Sequence, residues 1–113
     1  MAILYPPLLE GTIPATYGNT LKIPYRMNQA VSLDDVSGFS VKIKSTNLDN
    51  KVMGVLDVGK QQDTIEVNGL KSQCNLVIGN YNKVQIAYKD EDGIGPYSTV
   101  AIFKYTAQPT IGI

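Results

Sequence analysis

Apolar and polar residues alternate along most of this chain with a period of two, the spacing that puts every second side chain of an extended strand on one face. Phe39 to Ser45 is the clearest run, with Phe39, Val41 and Ile43 on one face and Ser40, Lys42 and Lys44 on the other. Thr20 to Tyr25 sets Leu21, Ile23 and Tyr25 against Lys22 and Pro24. Pro24 has no N–H to give a ladder, so this strand is expected at an edge, at a bulge, or interrupted there. Val52 to Val58 and Asp63 to Asn68 read as two further strands, divided by Gly59 to Gln62. Cys74 to Ile78 reads as another, closed by Gly79-Asn80, and Val84 to Lys89 and Thr99 to Thr106 complete about seven or eight. Burying each large inward side chain contributes roughly 1.5–3 kcal/mol.

Turn residues recur every ~8–12 positions, the spacing of a sandwich or small barrel. Asn68-Gly69 is one such signal, because both residues tolerate positive φ. Ser32-Leu33-Asp34-Asp35 predicts a single helical turn with Ser32 as its cap, ended at once by Val36-Ser37-Gly38. With no internal repeat and no interior linker, the chain reads as one β-sandwich domain over residues 1–107. Pro109 and Gly112 make 108–113 read as a C-terminal exit segment.

Composition narrows the chemistry. Ten Lys and Arg balance ten Asp and Glu, so the chain lacks the cationic excess that displaces counterions from phosphates, and no nucleic-acid partner is expected. Hydrophobic residues are 43% and charged residues 18%, ordinary for a globular domain. A single cysteine, Cys74, allows no intrachain disulfide, and the absence of histidine removes the commonest general base and metal ligand. Pro6-Pro7 interrupts the apolar N-terminal run before it reaches signal-peptide length, and no segment has the roughly 18 apolar residues of a membrane span. No membrane partner and assembly in a cytoplasm are the expectations.

The residues that bear chemistry each have a plainer role. Asp90-Glu91-Asp92-Gly93 is the densest acidic cluster, but it lacks the late bidentate acid of an EF-hand and suits a hairpin turn. Asp34-Asp35 suits helix capping better than paired catalysis, since catalytic carboxylates come from separate elements. Cys74, without a base to ionise it, reads as a small hydrophobe. No catalytic, cofactor or metal residue is assigned, and no enzyme is expected. Seven tyrosines are spread along the chain; several fall at inward positions and most read as core or corner residues, while Tyr97 is the candidate for stacking on a glycan.

Val36 to Ser45, Thr64 to Leu70 and Val84 to Ser98 resemble the third strand, the fifth strand and the sixth-to-seventh hairpin of fibronectin type III and related immunoglobulin-like domains. Tyr25 stands where such domains usually carry a tryptophan. The resemblance implies an all-β antiparallel sandwich whose last strand lies at a sheet edge. Val100 and Ile102 then share one face of that strand, and Ala101, Phe103 and Tyr105 the other. Both faces are apolar. Either the N-terminal segment Ile3 to Leu9 covers the strand or a neighbouring protein does, which makes Ala101, Phe103 and Tyr105 a candidate protein interface. Met1 to Ala15, the Val36 to Phe39 stretch and the ending from Ile94 to Thr106 also resemble the opening module of bacteriophage tail and virion structural proteins. That resemblance implies a non-enzymatic virion component contacting other virion proteins or copies of itself, localised to the virion. A carbohydrate-binding or host-attachment module that meets a surface glycan is the alternative.

Overall fold

The alternating runs pair into two sheets stacked with their apolar faces inward. In the computed structural model, which describes residues 3–107, the elements are β1 (Leu8–Leu9), β2 (Thr16–Tyr17), β3 (Leu21–Arg26), a 3-10 turn (Leu33–Asp35), β4 (Gly38–Ser45), a second 3-10 turn (Thr46–Leu48), β5 (Lys51–Gly59), β6 (Thr64–Val67), a one-turn helix α1 (Leu70–Gln73), β7 (Tyr81–Asp90), β8 (Gly93–Tyr97) and β9 (Ala101–Thr106). The smaller sheet has the order β1-β3-β6, and the larger β2-β9-β7-β4-β5, with β8 beside β7. The exit segment expected over 108–113 lies outside the described residues.

Inward positions of both sheets make the core: Leu21, Ile23, Ile65 and Val67 face Phe39, Val41, Ile43, Val84 and Ile86, all fully buried. Tyr25 meets Phe39 edge-on at 5.2 Å between ring centroids, and Phe39 meets Tyr88 at 5.7 Å. Each buried phenol finds a partner. Tyr25 donates to the Gln61 carbonyl (2.6 Å), and the Tyr88 oxygen accepts from the Asn28 N–H (2.9 Å). Burial pushes both phenol pKa values upward. Ser32 caps the first 3-10 turn as expected, its hydroxyl accepting from the Asp34 N–H.

Three expectations are corrected. The apolar ending is two strands rather than one: β8 pairs with the later half of β7 and β9 with the earlier half. Ser98 makes the step, giving its N–H to the Ile86 carbonyl and taking the Ile86 N–H on its hydroxyl. Cys74 to Ile78 is no strand. Gly69, at φ 79°, opens α1 instead of a hairpin, and Cys74 ends it by donating its N–H to Leu70.

The third correction concerns β9, which is not an edge. Strand β2 pairs with it in parallel, Thr16 opposite Tyr105, and Ile13 and Gly11 exchange main-chain bonds with Ile102. Residues 11–17 cover it, not Ile3 to Leu9. Pro24, by contrast, is accommodated in the central strand of the smaller sheet, at a position β1 does not reach. The Tyr25 N–H points to Asp63 on the β6 side, so alternation turns Pro24 the other way, just past the end of β1 at Leu9.

Candidate functional site

The expected interface residues are core. Ala101, Phe103 and Tyr105 are 0%, 1% and 5% exposed, because the parity that pairs Phe103 with Asn82 points all three between the sheets. Tyr105 spends its hydroxyl on the Gly18 carbonyl (2.7 Å). The opposite face, carrying Ile102 and Lys104, is the one that meets solvent. Both sides of the strand are apolar because one packs in the core and the other borders a lysine-rich surface.

Tyr97 is not a loop residue. It ends β8 opposite Ala87, whose methyl leaves room for the ring to lie across the outer face of the larger sheet. There its hydroxyl is 2.8 Å from that of fully buried Ser40, and the Lys42 ammonium sits 4.0 Å from the ring centroid. The ring therefore braces β8 over β7 and β4. A cation–π contact of this kind contributes about 0.5–1 kcal/mol at an exposed site.

Two features were not read from the sequence. The first is the free edge of β5, a nine-residue strand ending the larger sheet. Ile86 turns its main-chain groups toward Ser98. Alternation and register then direct the Lys42 and Ser40 groups to β7, and those of Val55 and Asp57 off the β5 edge. Val52 and Val55 stand exposed beside these unpaired groups. The strand contains no proline and only Lys51 and Asp57 as charges, so little protects it from pairing with another strand.

The second is a separation of charge. Lys42, Lys44, Lys83 and Lys104 all project from the outer face of the larger sheet, with Lys44 directly opposite Lys83. Asp34, Asp35, Asp90 and Glu91 instead line one cleft of about 660 Å³ at the end of the sandwich, beside exposed Leu4 and Tyr5. Asp90 is tied down, its carboxylate accepting the N–H groups of Ile3 and Asp92. The acidic run is the tip of the β7–β8 hairpin, as its turn chemistry implies. Among the described residues no group of three His, Cys, Asp or Glu side chains is placed to hold a metal ion, and no helix is long and apolar enough to cross a membrane.

Cys74 is buried against Gly54, where an added Cβ would come within 2.5 Å of its sulfur. Burial pushes the thiol pKa up, away from the thiolate a nucleophile needs.

No protein-family model matches the chain, and no curated protein matches it. Solved structures do. The FN1–FN3 domains of chicken CNTN1 superpose with a TM-score of 0.64 at 10% identity over 92% of this chain, which spans only 31% of theirs. The FN5 domain of Drosophila Lar gives 0.62 at 14% identity, covering 94% of this chain and all of that one (100%). A fibronectin type III domain derived from human KIAA0970 gives 0.58 at 20% identity over 95% of this chain and 76% of its own. The fold is thus the fibronectin type III-like sandwich that the resemblance implies, and at these identities the likeness speaks for fold alone.

Proposed function

We propose that this chain is a non-enzymatic structural module that acts through protein–protein contacts, and that its setting is a bacteriophage virion, where other virion proteins or copies of itself cover its exposed edge. The observation that carries the contact role is the edge of β5, where the outward main-chain groups of Val55 and Asp57 meet no partner strand among the described residues and stand beside exposed Val52 and Val55. A strand added there gains a ladder of hydrogen bonds, and alternate side chains then select the partner. The virion setting is supported by the resemblance of the opening and closing segments to phage structural proteins.

Two measurements test the reading. Val55→Pro removes an outward N–H while leaving the β4 ladder intact, and proline is tolerated at such a position. Partner capture or assembly by the intact chain is expected to fall at least tenfold in that variant, with the fold unchanged by circular dichroism. Unchanged capture would refute the edge as the contact. Mass spectrometry of virus particles purified from the organism that encodes the chain is expected to find it in a fixed ratio to the other particle proteins, and its absence would refute the virion setting.

A further inference from the structure

The balanced net charge conceals two unbalanced surfaces. Lys44 and Lys83 face each other across β4 and β7, with Lys42 two residues along β4 and Lys104 at the neighbouring corner opposite Tyr81. Directly opposed side chains on a sheet have Cβ atoms about 4.5–5.5 Å apart, and like charges there oppose folding. None of the ion pairs among the described residues includes any of these lysines. Asp57, which pairs with Ser40 from neighbouring β5, is held 3.3 Å from Lys89. Lys42 and Lys104 lie near the rings of Tyr97 and Tyr81, 4.0 and 5.8 Å from their centroids. Val52 and Ile102 flank the Lys44–Lys83 row on either side, both exposed. The face is therefore a basic row bordered by apolar side chains.

The excess acid lies elsewhere. Asp34, Asp35 and Glu91 are exposed at the end of the sandwich where β4 begins and β7 ends. From that end to the Lys44–Lys83 pair is six residues of strand, roughly 20 Å at 3.3 Å per residue. That is beyond the ~8–10 Å over which physiological salt lets exposed charges feel one another. Asp34, Asp35 and Glu91 therefore do not neutralise the Lys44–Lys83 pair within one chain.

We propose that the lysine row of the larger sheet, Lys42, Lys44, Lys83 and Lys104, is a docking surface for the acidic end of a second copy of this chain, formed by Asp34, Asp35 and Glu91. Charge complementarity selects the occupant. The lysine side chains reach the carboxylates around the partner's cleft, while exposed Leu4 and Tyr5 at that end meet the apolar border of the row. Because the two surfaces differ, the contact is head-to-face. Each copy joined this way keeps one free face and one free end, so association continues into a ring or a filament and does not stop at a two-fold dimer. This names a partner and a geometry for the contact role and uses a surface other than the β5 edge.

Sedimentation of the intact chain at rising concentration, in about 0.01 M and about 0.5 M salt, tests it, since the Debye length falls from ~30 Å toward ~3 Å across this range. Self-association is expected at low salt and its loss at high salt. Pairing through the β5 main chain would persist at high salt, which separates the two contacts. Lys44→Glu with Lys83→Glu, and separately Asp35→Lys with Glu91→Lys, are each expected to weaken association at least tenfold. Mixing the two variants is expected to restore it, because each retains the surface that matches the other's. Lys44→Gln with Lys83→Gln repeats the first arm without charge reversal, and circular dichroism checks that every variant folds. A chain that stays monomeric at low salt, or variants that fail to associate when mixed, would overturn the proposal. Binding of a heparin or DNA probe through the same lysines by a chain that does not self-associate would assign the face to a polyanion instead.

Discussion

Replacing Phe103 with alanine separates a core strand from a docking strand. Phe103 is 1% exposed and packs between the sheets, whereas Ile102, its neighbour on the other face, is 37% exposed. Truncating a buried phenylalanine costs the lost transfer energy plus a residual cavity, about 3–5 kcal/mol in all. A domain of this size has about 5–15 kcal/mol of stability in total. With a urea slope near 1.5 kcal/mol/M, the unfolding midpoint should drop by roughly 2–3 M. Ile102→Ala should cost less, about 1–2 kcal/mol, since more than a third of that residue already meets solvent. Urea unfolding of both variants, followed by tyrosine fluorescence and far-ultraviolet circular dichroism, makes the comparison. The informative result is the ratio. A one-residue slip of β9 against β7 would exchange the two faces completely. A larger loss at Ile102 than at Phe103 would therefore refute the register and return Phe103 to the surface.

The lysine row carries a stability cost that can be recovered. Lys44→Glu turns a like-charge cross-strand pair into an opposite one and should stabilise the isolated fold by about 0.2–1 kcal/mol at low salt, with the gain shrinking as salt is added; a loss of stability would refute the pairing. Gly54→Ala should destabilise by about 1–3 kcal/mol through overpacking against the Cys74 sulfur. Cys74→Ala in the same chain should offset part of that loss, and strictly additive losses in the double-mutant cycle would place the clash elsewhere. Stability should also fall in alkali. Tyr25, Tyr88 and Cys74 have folded-state pKa values raised mainly by burial. Their protonated forms are thus favoured in the native state, and that stability is fully present at neutral pH. It is lost as the unfolded chain ionises above about pH 8.5 for the thiol and about pH 10 for the phenols. Urea midpoints measured from pH 7 to pH 11 should decline through that window, and a rising midpoint would contradict the burial.

Long strands were legible because alternation over six or more residues has few competing explanations. The runs over β3, β4 and β7 appear in the sequence with the inward residues the fold buries. Short elements escaped for the same reason. A two-residue strand such as β2 has no period, and it exists only because β9 offers it a ladder. At the ending of the chain, the apolar character of Ala101, Phe103 and Tyr105 was visible, but parity alone assigns no direction. Only the pairing of Phe103 with Asn82 and the cover over Ile102 decide which face is inside. Charge was the least legible property, because composition adds what the fold separates. Lys42 and Lys44 were visibly outward on one alternating strand. Lys83 lies far along the chain and becomes their neighbour only through the β4–β7 register. Asp34, Asp35, Asp90 and Glu91 likewise converge only because two loops share one end of the sandwich. A net charge of zero excludes a uniformly basic surface, but it is compatible with separate basic and acidic surfaces on one chain.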